Sequence, residues 1–162
     1  MSSSPSFIEF VKALRPGWIT PDRRALAGRL LNEAVENITN QVTSKIASSL
    51  SPLALVTDGW TNIRRESIMN FIVHTPKPYY HSSISTGVNS HTSVYIATEI
   101  SRVIESLGVE KVGSVITDNA SNMKAAWRIL QAKYPHIITI GCCSHGTNLL
   151  LKDVLNHEWC ME

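Results

Sequence analysis

Asp58 and Asp118 are the residues whose type and setting best suit chemistry. Each follows an apolar run with the same Thr-Asp ending: Leu53-Ala54-Leu55-Val56-Thr57-Asp58, and Val112 to Ile116 followed by Thr117-Asp118. Both runs read as buried strands. After Asp118, Met123, Ala126, Trp127 and Leu130 fall on one face of a helix. Asp118 is thus expected at the carboxyl end of a strand, at the lip where a helix begins and where open α/β sheets bind ligands. If the two strands are parallel neighbours, both carboxylates face one crevice. They can then share a divalent cation, because Mg²⁺ favours hard oxygen ligands. Each Asp can equally cap a turn or a helix. Asn119 or Ser121 suits the N-cap of the helix that follows. Capping is the favoured role for Asn119 and Asn122, with orientation of Asp118 as the alternative.

Three further residues invite a nucleic-acid reading. Trp60 could stack on a base, although a Trp just past a strand more often covers the edge of a core. Arg64 and Arg65 could meet phosphate, or simply be solvated loop residues. Cys142-x-x-His145 followed by His157-x-x-Cys160 has the look of four zinc ligands. A helix between them argues against zinc. His145 and His157 are 12 positions apart, about 18 Å along a helix, whereas zinc ligands all lie within about 2.3 Å of one ion. The apolar helix pattern takes precedence, so zinc is not expected.

These residues need a scaffold, and the chain supplies a regular one. Phe7, Phe10, Val11 and Leu14 are spaced for a short amphipathic helix ended by Arg15-Pro16-Gly17. Thr20-Pro21-Asp22 starts a second helix, with Thr20 as its cap. Leu31, Val35, Ile38, Val42 and Ile46 carry its apolar stripe on, predicting one helix of about 28 residues. After the first strand come a polar turn at Asn62 to Glu66, a strand from Ile68 to His74, a turn at Pro76-Lys77-Pro78 and a strand from Tyr79 to Val88. These three strands should form an antiparallel meander. Ile96, Ile100, Val103, Ile104 and Leu107 mark a helix closed by Gly108. The strand bearing Asp118 and its helix follow, the helix stopping near Tyr134-Pro135. His136 to Cys142 is a fifth strand. Gly146 to about His157 is a last helix, with Leu149, Leu150, Val154 and Leu155 inward.

The order β-β-β-α-β-α-β-α, preceded by helices, predicts an α/β fold with one mixed five-stranded sheet. The expected organisation is a tail and short helix over 1–19, an α/β domain over 20–157 and a tail over 158–162.

Composition narrows the function. The chain has 162 residues, 43% hydrophobic, with a formal net charge of +2 and a pI near 8.5. That suits one domain with a good core, and a protein too weakly basic to grip DNA by charge alone. No apolar run approaches the roughly 18 residues of a membrane span, so no membrane partner is expected. Met1 to Pro5 lacks the apolar core of a signal peptide. Three cysteines, two of them adjacent, do not form a disulfide framework. An intracellular, reducing compartment is expected, not secretion.

Three stretches, in order, resemble a known set of signatures. They are Thr57-Asp58-Gly59-Trp60-Thr61, then Thr117-Asp118-Asn119-Ala120-Ser121-Asn122-Met123, then Cys142-Cys143-Ser144-His145-Gly146-Thr147-Asn148-Leu149. Together they resemble hAT-superfamily transposases, and more narrowly the DUF659-type domain found at their core. The resemblance runs from about Pro16 to Val154. It implies an RNase H-like fold, which the element order gives on its own. It also implies an Asp-Asp-Glu site that cuts and joins DNA with Mg²⁺ or Mn²⁺, with Asp58 and Asp118 as two of the acids. DNA, other transposase domains or copies of the chain are the implied partners, and the nucleus the implied location.

Cys142 and His145 match the family's Cys-x-x-His signature, near the acids. They would support the active site or position DNA; a buried thiol and a helix-capping imidazole is the other reading. The family's third acid, a Glu well downstream, has no counterpart, since Glu158 and Glu162 match no motif. Nor do its DNA-binding zinc finger and its dimerisation segment. The expectation is a partial or domesticated transposase core that is not catalytic alone. The alternative is a non-catalytic RNase H-like module that binds protein or nucleic acid.

Overall fold

The computed structural model describes residues 4–64, 66–87 and 92–156. The chain divides into two compact units, residues 1–44 and 45–162. In the first, α1 spans Pro5–Leu14, with Ser4 at the N-cap position and Pro5 opening the helix. Next comes α2, Arg23–Ala27, whose cap is Asp22 rather than Thr20: the Asp22 carboxylate accepts from the Ala25 N–H at 2.7 Å. The single long helix expected from the apolar stripe is in fact two. Gly28, at φ −114° and ψ −107°, separates α2 from α3, Arg29–Ala47. Glycine is a poor helix-interior residue, and hydrophobic spacing carries no trace of that break.

The second unit is built on a five-stranded sheet in the order β3-β2-β1-β4-β5. Its strands are β1 Leu53–Thr61, β2 Ser67–Thr75, β3 Lys77–Gly87, β4 Val112–Thr117 and β5 Ile138–Gly141. The first three pair antiparallel, while β1–β4 and β4–β5 pair parallel. This is the mixed, RNase H-like sheet that the element order predicted, with the two aspartate-bearing strands side by side. The helices are α4 Ser93–Leu107, α5 Ser121–Lys133 and α6 Cys143–Leu155. Gly108 closes α4 at φ +92°, a left-handed conformation that favours glycine.

Strand alternation explains the core. Leu55 and Thr57 of β1 pair with Val73 and Phe71 of β2, and Leu55 pairs with Val115 of β4; all are buried. Residues in register on neighbouring strands share a face. That face carries the helices, because the Trp127 indole of α5 donates to the buried Thr117 hydroxyl at 3.0 Å. Ile96, Ile100 and Ile104 of α4 and Met123, Ala126 and Leu130 of α5 complete the core. Lys133 and Tyr134 both donate to the Glu105 carboxylate, at 2.8 Å each, and so tie the end of α5 to α4. Those hydrogen bonds, Lys133's first, hold the Glu105 pKa below its ordinary value.

Thr57 and Thr117 occupy corresponding places with unequal partners. The Thr117 hydroxyl accepts from Trp127 and donates to the Asp118 carbonyl at 2.7 Å. The Thr57 hydroxyl is buried without a partner among the described residues. An unpaired buried hydroxyl costs stability, while removing one half of a made bond costs about 1–3 kcal/mol. Thr57→Val should therefore leave unfolding in urea unchanged or shift it to higher urea, and Thr117→Val should shift it lower. The reverse order would contradict these hydrogen-bond assignments.

Three boundaries differ from expectation. β3 begins at Lys77, with Pro78 tolerated because β3 is an edge strand. β5 is shorter, Ile138–Gly141, because Tyr134 to His136 form a turn. α6 begins at Cys143, and none of its residues is buried. Leu149, Leu150, Val154 and Leu155, expected inward, are exposed. Hydrophobic spacing states which residues a helix would bury, not whether a neighbour is there to bury them. Arg65, Val88, His157, Glu158, Cys160 and Glu162 lie outside the described residues.

Candidate metal centre

Asp58 is not at the end of its strand. β1 and β2 stay paired from Asp58↔Asn70 out to Thr61↔Ser67, as a hairpin that outruns the rest of the sheet. On its other side, β1 pairs with β4 only as far as Val56↔Ile116. Asp58 and Asp118 each lie two positions beyond that last pair. Thr57 and Thr117 turn toward the helices, at 2% and 1% exposure. Val56, Asp58 and Ile116 turn to the opposite face. At the strand ends, Asp58, Asp118, Cys142 and His145 line a pocket of about 360 Å³, with Thr57 and Thr117 from the helix-facing side and Val56, Ile72 and Ile116 from the other.

The turn after β4 is tightly bonded. One Asp118 carboxylate oxygen accepts from the Ala120 N–H at 2.8 Å. Ala120 takes the N-cap position of α5, and no side chain caps it, contrary to the expectation for Asn119 or Ser121. The Asp118 carboxylate has closed the turn, and Asn119 is used elsewhere. Its amide donates to the Cys142 carbonyl at 3.3 Å, while the Cys142 N–H donates to the Thr117 carbonyl at 2.7 Å. The Asn122 side-chain oxygen accepts from the Met123 N–H at 3.0 Å, within the first turn of α5. Trp127 was legible only as a core-facing helix residue. Its bond to Thr117 makes it part of the support beneath Asp118, and no sequence signal marks that role.

The model of one family, the domain of unknown function DUF659, matches residues 21–162. The chain belongs to the DUF659 family. No curated protein matches it.

In this DUF659 domain the third motif also lands at the pocket. Cys142, half-buried, is the N-cap of α6, and His145 lies in that helix's first turn. The helix therefore starts within the Cys-x-x-His signature rather than after it. Trp60 of β1 is 43% exposed, paired with Ile68 of β2 and, by alternation, on the same face as Asp58. That face is opposite the one that carries the helices. Arg64 is exposed on the β1–β2 turn, where its N–H bonds the Asn62 side chain at 2.9 Å. Neither residue lines the pocket.

Among the described residues of the DUF659 domain, no three His, Cys, Asp or Glu side chains are grouped to hold a metal ion. The Asp58 carboxylate and the second oxygen of Asp118 are hard donors. They suit one Mg²⁺ or Mn²⁺ that keeps several waters. No helix among the described residues is long and apolar enough to cross a membrane.

Proposed function

We propose that this domain is the core segment of a hAT-type DNA transposase, partial or domesticated, in which Asp58 and Asp118 together hold one divalent cation against DNA phosphate. One observation carries the reading. Three motifs far apart in sequence supply Asp58, Asp118, Cys142 and His145 to a single pocket, at the end of an RNase H-like sheet.

The two carboxylates hold and orient the ion, and Ala120 N–H fixes one Asp118 oxygen so that the other faces the pocket. When bound, Mg²⁺ or Mn²⁺ supplies a Lewis acid for a phosphate oxygen. The N-terminal end of α6, with Cys142 at its N-cap position, adds a favourable field for an anion. Trp60, on the face of Asp58, is the candidate for base stacking, and Arg64 for a phosphate contact beyond the pocket.

Two-metal strand transfer needs a second ion, held in register by further carboxylates. The domain is therefore expected to bind metal and DNA without cutting. With Mn²⁺ present, binding of a short DNA duplex, followed by fluorescence anisotropy, should strengthen and then weaken again in Asp58→Ala. Supercoiled plasmid should stay intact. Duplex binding indifferent to both Mn²⁺ and Asp58→Ala would overturn the metal reading. Nicking that disappears in Asp58→Ala would overturn catalytic silence.

The small net charge of +2 also predicts weak, salt-sensitive association. The log–log salt slope should be about −2, as for roughly two phosphate contacts. A slope several times steeper would reveal a basic surface that net charge conceals.

A second reading, a non-catalytic module for protein or nucleic-acid partners, draws on α6. That helix leaves Leu149, Leu150 and Leu151 exposed, an apolar surface that suits a protein partner. Full DNA and metal indifference would favour it.

A further inference from the structure

Gly141 ends β5 directly beside Thr117. A Cβ built on it would lie 2.0 Å from the Asn119 side-chain oxygen and 3.0 Å from its Cγ, with the Trp127 ring at 3.4 Å. The Asn119 amide therefore occupies the space that any side chain at position 141 would need. From there its nitrogen donates to the Cys142 carbonyl, and a Cβ on Gly146 of α6 would come to 3.7 Å of it. One side chain thus bridges the turn that carries Asp118 and the turn that carries Cys142 and His145. The backbone bond from Cys142 N–H to the Thr117 carbonyl closes the same junction.

We propose that Asn119 is a positioning residue: with Gly141 as its obligatory partner, it latches the Asp118 turn to the Cys142–His145 turn and so sets the metal-holding geometry of the pocket. It acts through Asp118 and Cys142 and touches no ligand. The metal clause rests on the function proposed above. The latch itself does not.

Two substitutions break the latch by different routes. Asn119→Ala removes the amide. Gly141→Ala leaves it in place but expels it, because the new methyl takes its space. With the amide already gone, Gly141→Ala has little left to displace. The double variant should therefore resemble Asn119→Ala alone, a strongly non-additive cycle.

The first readout is amide hydrogen exchange in metal-free protein. The Cys142 N–H, bonded across the junction, and the Ala120 N–H, bonded to Asp118, should exchange at least about tenfold faster in either single variant, since each tenfold reflects ~1.4 kcal/mol of lost protection. The buried Val73 amide in the sheet serves as reference and should not move. The second readout is Mn²⁺ affinity by calorimetry, expected to fall about 10–100-fold, as for other supports of metal ligands.

Unchanged Cys142 and Ala120 exchange, additive effects in the cycle, or equal acceleration at Val73 would each overturn the latch. Should Gly141→Ala alone fail to fold, recovery of folding in the double variant supports the latch, and continued failure overturns it. If the wild type binds no Mn²⁺, the metal reading falls and the exchange measurements still decide the latch.

Discussion

Asp118→Asn should abolish the Mn²⁺-dependent rise in melting temperature while leaving the metal-free protein as stable as the wild type. The asparagine keeps the side-chain oxygen that accepts from Ala120 N–H, so the turn into α5 stays closed. What it loses is the second oxygen, replaced by an amide nitrogen that binds no metal, and with it the negative charge. A ligand at a hundred times its dissociation constant stabilises the fold by about 2.7 kcal/mol. For a domain of this size that is a rise of roughly 5–10 °C, at about 2–4 °C per kcal/mol. Differential scanning fluorimetry with and without Mn²⁺ reads both numbers in one experiment. A variant that still shows most of the shift would place the ion elsewhere. A variant already unstable without metal would show that the charge, not the oxygen, holds the turn.

Phe71→Ala should do the converse. Phe71 is fully buried on β2, paired with Thr57 and facing the helices. Truncation removes most of a large side chain from a packed layer, at a cost of about 3–5 kcal/mol. That is a large share of the roughly 5–15 kcal/mol that keeps a typical domain folded. Asp58, one residue along β1 from Thr57, lies on the other face of the sheet. The metal increment should therefore survive. Urea unfolding of Phe71→Ala should start from a much lower midpoint, yet gain as many kcal/mol from Mn²⁺ as the wild type. Loss of the increment together with the stability would mean that core and pocket are not separable.

The sheet was legible because its strands have strong periodicities and clear punctuation. Pro76-Lys77-Pro78 and Gly108 mark turns that the chain does make, and the two Thr-Asp endings do lie on neighbouring strands. What stayed illegible depends on distant partners. β1 runs on past Asp58 because β2 is long enough to pair with it out to Thr61. Asn119 reads locally as an N-cap, yet its amide goes to Cys142, which only the β4–β5 pairing brings within reach. Gly141 reads as a strand end. The space that a side chain there would take is filled by a side chain 22 positions earlier. The leucines of α6 look like core because spacing cannot reveal that, among the described residues, nothing buries them.

Calorimetric titration of Mn²⁺ into wild type, Asp58→Asn and Asp118→Asn tests the shared site most directly. The wild type should take up one ion per chain in a saturable step, and both variants should lose it. Binding that persists undiminished in either variant would contradict a site held jointly by Asp58 and Asp118.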